Sequence, residues 1–285
     1  MDIKTILDRL YESRSTAHLA NDPLSFCHRY EDPQDREVVG LIASSLAYGN
    51  VKAILASLES IFARMSPSPR RYLENFDPAA ALKEFAGFKY RFHDFRDLCA
   101  LFLAVRTMIE ESDSIQEYFL AGYDPDAPDI APSLTEFVSA VLRLDYSEVF
   151  GAAGIPANSY FPLFFPSPAG GSACKRLCMY LRWMVRPADG IDLGLWKSVS
   201  PAQLIIPVDA HIQRISGFLG FTSRRQADWR MAREVTAALR QLDPLDPVKY
   251  DFSICHLGIS EGCDGKNKEA CLKCSISDIC RGGIK

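Results

Sequence analysis

Three groups of residues in this chain have types and spacing suited to chemistry. The first centres on Asp209, in Ile205-Ile206-Pro207-Val208-Asp209-Ala210-His211-Ile212. A carboxylate at the mouth of an apolar helix occupies an N-cap position, beside backbone N–H groups and the positive end of the helix dipole. It can act as a cap alone, or it can also face a reacting centre and stabilise positive charge there. The second is Lys175, in the first turns of an amphipathic helix that follows Phe165-Pro166-Ser167-Pro168-Ala169-Gly170-Gly171. Its side chain suits a nucleophilic amine, a phosphate contact or a solvated charge. Gly170 and Gly171 let backbone N–H groups approach a phosphate at the helix start, or they form a plain turn. The third is Cys263, Cys271, Cys274 and Cys280, spaced C-x7-C-x2-C-x5-C.

The chain begins with a charged amphipathic stretch, Met1 to Leu10, that does not read as a signal peptide. A reducing, cytoplasmic setting is therefore expected, and four thiols at this spacing read as metal ligands in preference to disulfides. Zinc and an iron–sulfur cluster both accept four thiolates. The other five cysteines, Cys27, Cys99, Cys174, Cys178 and Cys255, lie on apolar helical stretches and read as small core residues.

The elements that position these groups are helical nearly throughout. Periodicity and end signals predict helices over 35–49, 51–65, 94–111, 134–144, 173–185, 208–219, 228–242 and 246–258. Asp246-Pro247 has the form of a cap followed by proline at the first helical position. Loops are expected at 121–133 and 152–171, and no strand pattern or internal repeat is evident. The fold class is all-α.

There is no apolar run of about 18 residues, so no membrane partner is expected. The net charge of −4 argues against a general polyanion binder. Between Phe161 and Arg225, however, eight Lys and Arg face three acids, a local excess of five positive charges on an otherwise acidic chain. That excess fits a localised phosphate-binding face or a solvated helix surface.

Taken in order, the glycine-rich turn with its lysine, the Val208-Asp209-Ala210-His211 motif and the four terminal cysteines resemble the helix-hairpin-helix DNA glycosylase superfamily. The resemblance implies two helical lobes with a cleft between them, a helix-hairpin-helix element and a C-terminal four-cysteine metal loop. It implies a six-helix lobe over 30–190, and a second lobe from 1–29 and 191–285 that carries the catalytic aspartate and the cluster. Lys175 would be the Schiff-base nucleophile and Asp209 the catalytic carboxylate. The four cysteines would hold a [4Fe-4S] cluster, with zinc as the alternative. The partner would be double-stranded DNA with a damaged base, an oxidised purine such as 8-oxoguanine, bound by a monomer. A non-catalytic helix-hairpin-helix nucleic-acid-binding protein is the alternative.

Departures from the superfamily pattern are plain. Lysine and aspartate are 34 residues apart here, a longer gap than usual, with an insertion around Asp189–Trp196. The hairpin is irregular and the first cysteine gap has one extra residue. Archaeal 8-oxoguanine DNA glycosylases share the irregular hairpin and long gap, and endonuclease III-like enzymes share the cluster. The strings 175–186 and 243–252 are also similar to a bacterial family whose substrate is open.

By the same resemblance, Gly170, Gly171, Arg176 and Arg214 would contact DNA. Tyr48 or Asn50 would stand in for the glutamine that fills the gap left by a flipped base, or simply close a helix. Arg182 and Arg186 are rival anion contacts. His211 reads as structural, and Lys89-Tyr90-Arg91-Phe92 as core and rim.

Overall fold

The computed structural model describes residues 2–14, 16–151 and 154–282. Ala152 and Ala153, in the loop expected over 152–171, lie outside the described residues. The chain divides into two compact units. One comprises Met1–His18, Ala127–Ile130 and Gly171–Lys285; the other comprises Leu19–Asp126 and Ala131–Gly170. The chain passes between the units at 18/19, 126/127, 130/131 and 170/171.

The second unit is built around α2 (Pro33–Leu46), whose Val38, Val39, Leu41 and Ile42 are all fully buried. Its later turns, Val38 to Leu46, are buried on every side, as a core helix requires. Its Asp32-Pro33 start provides a side-chain cap and a proline at a first-turn position that needs no N–H. Around it lie α3 (Val51–Arg64), α4 (Pro69–Glu74), α5 (Pro78–Glu84), α6 (Phe95–Ser112), α7 (Ile115–Leu120), α8 (Ala131–Leu142) and α9 (Ser147–Phe150). Among the described residues this unit has eight α-helices, several of them capped turns too short to show a period in the sequence. A two-residue ladder, β1 (Lys89–Tyr90) paired with β2 (His93–Asp94), also went unseen in the sequence.

Two buried carboxylates of α2 complete neighbouring helices. Asp35 accepts from Ser68 Oγ and the Arg70 N–H, at 2.8 Å each, at the start of α4. Glu37 accepts from the N–H groups of Ile115 and Gln116 at 3.1 and 2.8 Å, at the start of α7. Helix N-termini carry N–H groups with no partner in their own helix, so these long-range caps join elements distant in sequence. Glu37→Ala leaves both donors buried and unsatisfied. It is expected to cost about 2–3 kcal/mol in urea unfolding; a loss below about 0.5 kcal/mol would remove Glu37 as the device that docks α7.

The first unit contains α1 (Ile3–Glu12), α10 (Lys175–Val185), α11 (Ala210–Leu219), α12 (Trp229–Arg240), α13 (Asp251–Ile259) and α14 (Lys268–Leu272). The helix expected from Asp246 begins five residues later, at Asp251. Asp246 does not cap it, because both carboxylate oxygens are taken by Arg186 Nε at 3.0 Å. Helices α11 and α13 touch closely: a Cβ on Gly258 would overlap the His211 ring, so glycine is required there and His211 is a packing residue. Among the described residues, no helix is long and apolar enough to cross a membrane.

Candidate active site

The site grows from the N-termini of α10 and α11 and the face of α13 that lies against them. Asp209 is the N-cap of α11. Its Oδ1 accepts from the N–H groups of His211 and Ile212, both at 2.8 Å. Its Oδ2 accepts from the thiol of Cys255 at 3.3 Å. Cys255 was read as packing, yet it lies against the candidate carboxylate. Nothing in an apolar helical stretch distinguishes a core thiol from one bonded to a distant aspartate.

Lys175 is the first residue of α10 and is half-buried. The backbone that delivers it is strained: Cys174 is left-handed at φ +48°, a region that residues with a Cβ rarely adopt. The Cys174 N–H donates to Ser172 Oγ at 3.2 Å and its thiol to the Ser172 carbonyl at 3.3 Å. The Cys174 side chain makes no cap bond to α10. Gly171 also has positive φ, at +77°, and its carbonyl accepts the Trp229 N–H at 3.0 Å. No atom lies within 4 Å of where a Cβ would stand on Gly170 or Gly171. The positive φ, and not crowding, is what requires glycine at 171.

Asp209 bonds to the Cys255 thiol, and Lys175 bears on that thiol through its charge alone. Burial pushes the Cys255 thiol well above its ordinary pKa; the negative charges of Asp209 and Asp251 raise it further, and the positive charge of Lys175 opposes them. Cys255 therefore stays protonated near neutral pH and serves as a donor.

Beneath this cluster runs a buried charge network. Arg182 of α10 bonds to Asp251, the first residue of α13, and its Nη2 lies 3.1 Å from Asp192. Arg186 bonds to Asp192, to Asp189 at 3.0 Å and to Asp246 at 2.9 Å. Burial pushes the Asp251 carboxyl up to about 6, with Arg182 pulling the other way. Arg182 and Arg186, weighed above as anion contacts, are only 4% and 3% exposed and are paired with carboxylates, which corrects that assignment. The insertion 189–196 supplies Asp189 and Asp192, and these two carboxylates hold α10 in place.

The remaining expected contacts are distributed as follows. Arg176 is half-buried next to Lys175. Arg214 donates to the Cys263 carbonyl at 2.5 Å and lies 3.1 Å from His211 Nδ1, which ties it to the start of the cysteine loop. In the other unit, Asn50 caps α3, accepting from the Lys52 N–H at 2.9 Å. Tyr48 packs edge-on against Tyr90, with ring centroids 5.2 Å apart, while its carbonyl accepts the Tyr90 hydroxyl. In the Lys89–Phe92 hairpin Tyr90 is core, whereas Phe92 is 55% exposed beside Tyr160.

Cys263, Cys271, Cys274 and Cys280 are all half-buried. A cavity is lined by three of these cysteines together with Leu257, Glu261 and Ala270. Burial raises the thiol of Cys263, and the charges of Cys280 and Cys271 add to this. Cys274 is raised likewise, with Cys263 and Cys280 among the contributors. The loop is anchored by the Cys263 N–H to the Leu257 carbonyl and the Arg281 N–H to the Phe218 carbonyl, at 2.9 and 2.8 Å. A Cβ on Gly282 would overlap the Phe218 ring, so the loop end needs glycine there. Among the described residues, no group of three or more His, Cys, Asp or Glu is arranged to hold a metal ion directly.

Fold and site thus define an α-helical protein of two units, with a carboxylate–thiol pair, Asp209 and Cys255, and a loop of four cysteines in one of them. The chain belongs to the family described as "Protein of unknown function (DUF2400)", whose model matches residues 22–260. The matched span includes Lys175, Asp209 and Cys255 and ends before the cysteine loop. No curated protein and no solved structure matches the chain.

Proposed function

We propose that the protein is a DNA base-excision glycosylase that removes an oxidised purine such as 8-oxoguanine. The observation that carries this reading is the Asp209 carboxylate at the mouth of α11, held by the His211 and Ile212 N–H groups on one oxygen and the Cys255 thiol on the other. Cleavage of an N-glycosidic bond develops positive charge on the sugar, and a fixed carboxylate beside it lowers the barrier. The Asp209 carboxylate is held through both oxygens, which suits that role. The Lys175 amine attacks C1′ in its neutral form, and the base leaves with the bonding pair and a proton. The C1′–O4′ bond of the resulting aminal then breaks, with the ring oxygen taking a proton from water, and the Schiff base so formed permits strand cleavage by β-elimination. The start of α10, with Gly170 and Gly171 before it and Arg176 in its first turn, suits a DNA phosphate. In the other unit, the half-exposed Tyr48 offers a stacking surface, with Asn50 beside it.

The test is base release from duplexes carrying 8-oxoguanine, oxidised pyrimidine or uracil, scored after alkaline cleavage. Release from the 8-oxoguanine duplex is expected. Tight binding of duplexes with no base released would instead identify a non-catalytic helix-hairpin-helix nucleic-acid-binding protein.

The four cysteines are proposed to hold a [4Fe-4S] cluster. The support is the cavity between three of them, the mutual influence of the thiols, and a donor set of four sulfurs. When bound, such a cluster would cross-link the loop, and the exposed Lys266, Lys268 and Lys273 would lie beside it, facing solvent. Anaerobically purified protein is expected to carry iron and acid-labile sulfide in equal amounts, and Cys274→Ser to lose most of both. Zinc without sulfide would replace the cluster by a tetrahedral site.

A further inference from the structure

We infer that Cys255 positions the carboxylate of Asp209, and that one face of α13 aligns both halves of the catalytic pair. The inference rests on the glycosylase reading of Asp209 and Lys175 and adds a residue to it. An N-cap carboxylate held through one oxygen can still turn about its terminal torsion, which is broad for aspartate. Here Oδ1 is fixed by two helix N–H groups, and Oδ2 is fixed separately by the Cys255 thiol at 3.3 Å. The carboxylate plane is therefore set from two directions.

Residue order on α13 extends the argument. Cys255 follows Asp251 by four residues, so the two side chains lie one turn apart on the same face. Asp251 holds Arg182 of α10, the helix that begins with Lys175, while Cys255 holds the start of α11. One helix face thus sets the register of the amine-bearing helix and the orientation of the acid. The thiol can fill this place because, half-buried near two carboxylates, it remains protonated. A thiolate there would repel Asp209 instead of bonding to it. The bond to Asp209 gives Cys255 a role distinct from that of the four candidate ligands.

The test compares wild type, Cys255→Ala and Cys255→Ser in single-turnover base release from the 8-oxoguanine duplex, with duplex affinity measured in parallel. Cys255→Ala is expected to slow release about tenfold, with affinity unchanged. Cys255→Ser, which keeps a donor, should return the rate to within about threefold of wild type. An alanine variant as fast as wild type, or a serine variant no better than alanine, would overturn the inference. A second readout is independent of activity: the infrared S–H stretching band of Cys255, assigned by difference from Cys255→Ala. Asp209→Asn keeps an oxygen for the cap and turns an amide N–H₂ toward the thiol, so the band is expected to shift. An unshifted band overturns the positioning role. If wild type releases no base yet the band shifts, the positioning of Asp209 stands and the glycosylase reading falls.

Discussion

Asp209→Asn is expected to slow base release from an 8-oxoguanine duplex by about 10²–10³-fold while leaving duplex affinity within about twofold of wild type. The magnitude is that of removing one preorganised electrostatic contact from a charged transition state. The substitution preserves the fold, because the amide oxygen can still accept from the N–H groups of His211 and Ile212. Complete loss of the cap, by Asp209→Ala, would add a stability cost of about 1 kcal/mol. The comparison therefore separates the two roles. A carboxylate that is only a cap predicts full activity in the asparagine variant, whereas a catalytic carboxylate predicts a slow but well-folded one. Single-turnover rates together with urea unfolding of both variants decide between them.

Arg182→Met is expected to be the most destabilising single change in the charge network, at about 3–5 kcal/mol. Removing one member of a buried ion pair leaves the other desolvated and uncompensated. Asp192 retains Arg186, whereas the Arg182 pairing of Asp251 is lost. The sign of the pH dependence follows from Asp251, whose folded-state pKa already lies above its ordinary value, at about 6. A carboxyl raised in the folded state favours folding when protonated, so its stabilising contribution is full below the unfolded value near 4 and is lost as pH rises through the folded value. Without Arg182 the folded value rises further, and the deficit in the variant should narrow as the pH is lowered from about 7 to 5. Adding Asp251→Asn should recover part of the loss at neutral pH. Urea midpoints at the two pH values test this; a loss below about 1 kcal/mol would mean that α10 is held by packing and not by its arginines.

Much of this architecture was legible in the chain, for definite reasons. Asp209 precedes Ile212, Ile215 and Leu219 at helical spacing, and it caps the helix as expected. Asp94, Asp228 and Asn50 likewise open helices through side-chain bonds to the backbone. Caps are encoded within a few residues, so they can be read locally. Partners distant in sequence cannot. Asp246-Pro247 has the form of a helix start, yet Arg186, 60 residues earlier, takes its carboxylate. Arg182 and Arg186 lie on an amphipathic helix and look like a basic face until Asp192 and Asp251 are placed beside them. Cys255 has the surroundings of a core residue in sequence and acquires its neighbour only when α11 and α13 pack. The short ladder at 89–94 has two residues per strand, too few for alternation to be visible.

The most direct test of the proposed chemistry is borohydride trapping on a duplex carrying 8-oxoguanine. Wild type is expected to form a covalent protein–DNA complex, because reduction fixes the imine between the Lys175 amine and C1′. Lys175→Gln is expected to form none while still binding the duplex. A complex trapped in undiminished yield by Lys175→Gln, or no complex at all from wild type, would contradict the assignment of Lys175 as the nucleophile paired with Asp209.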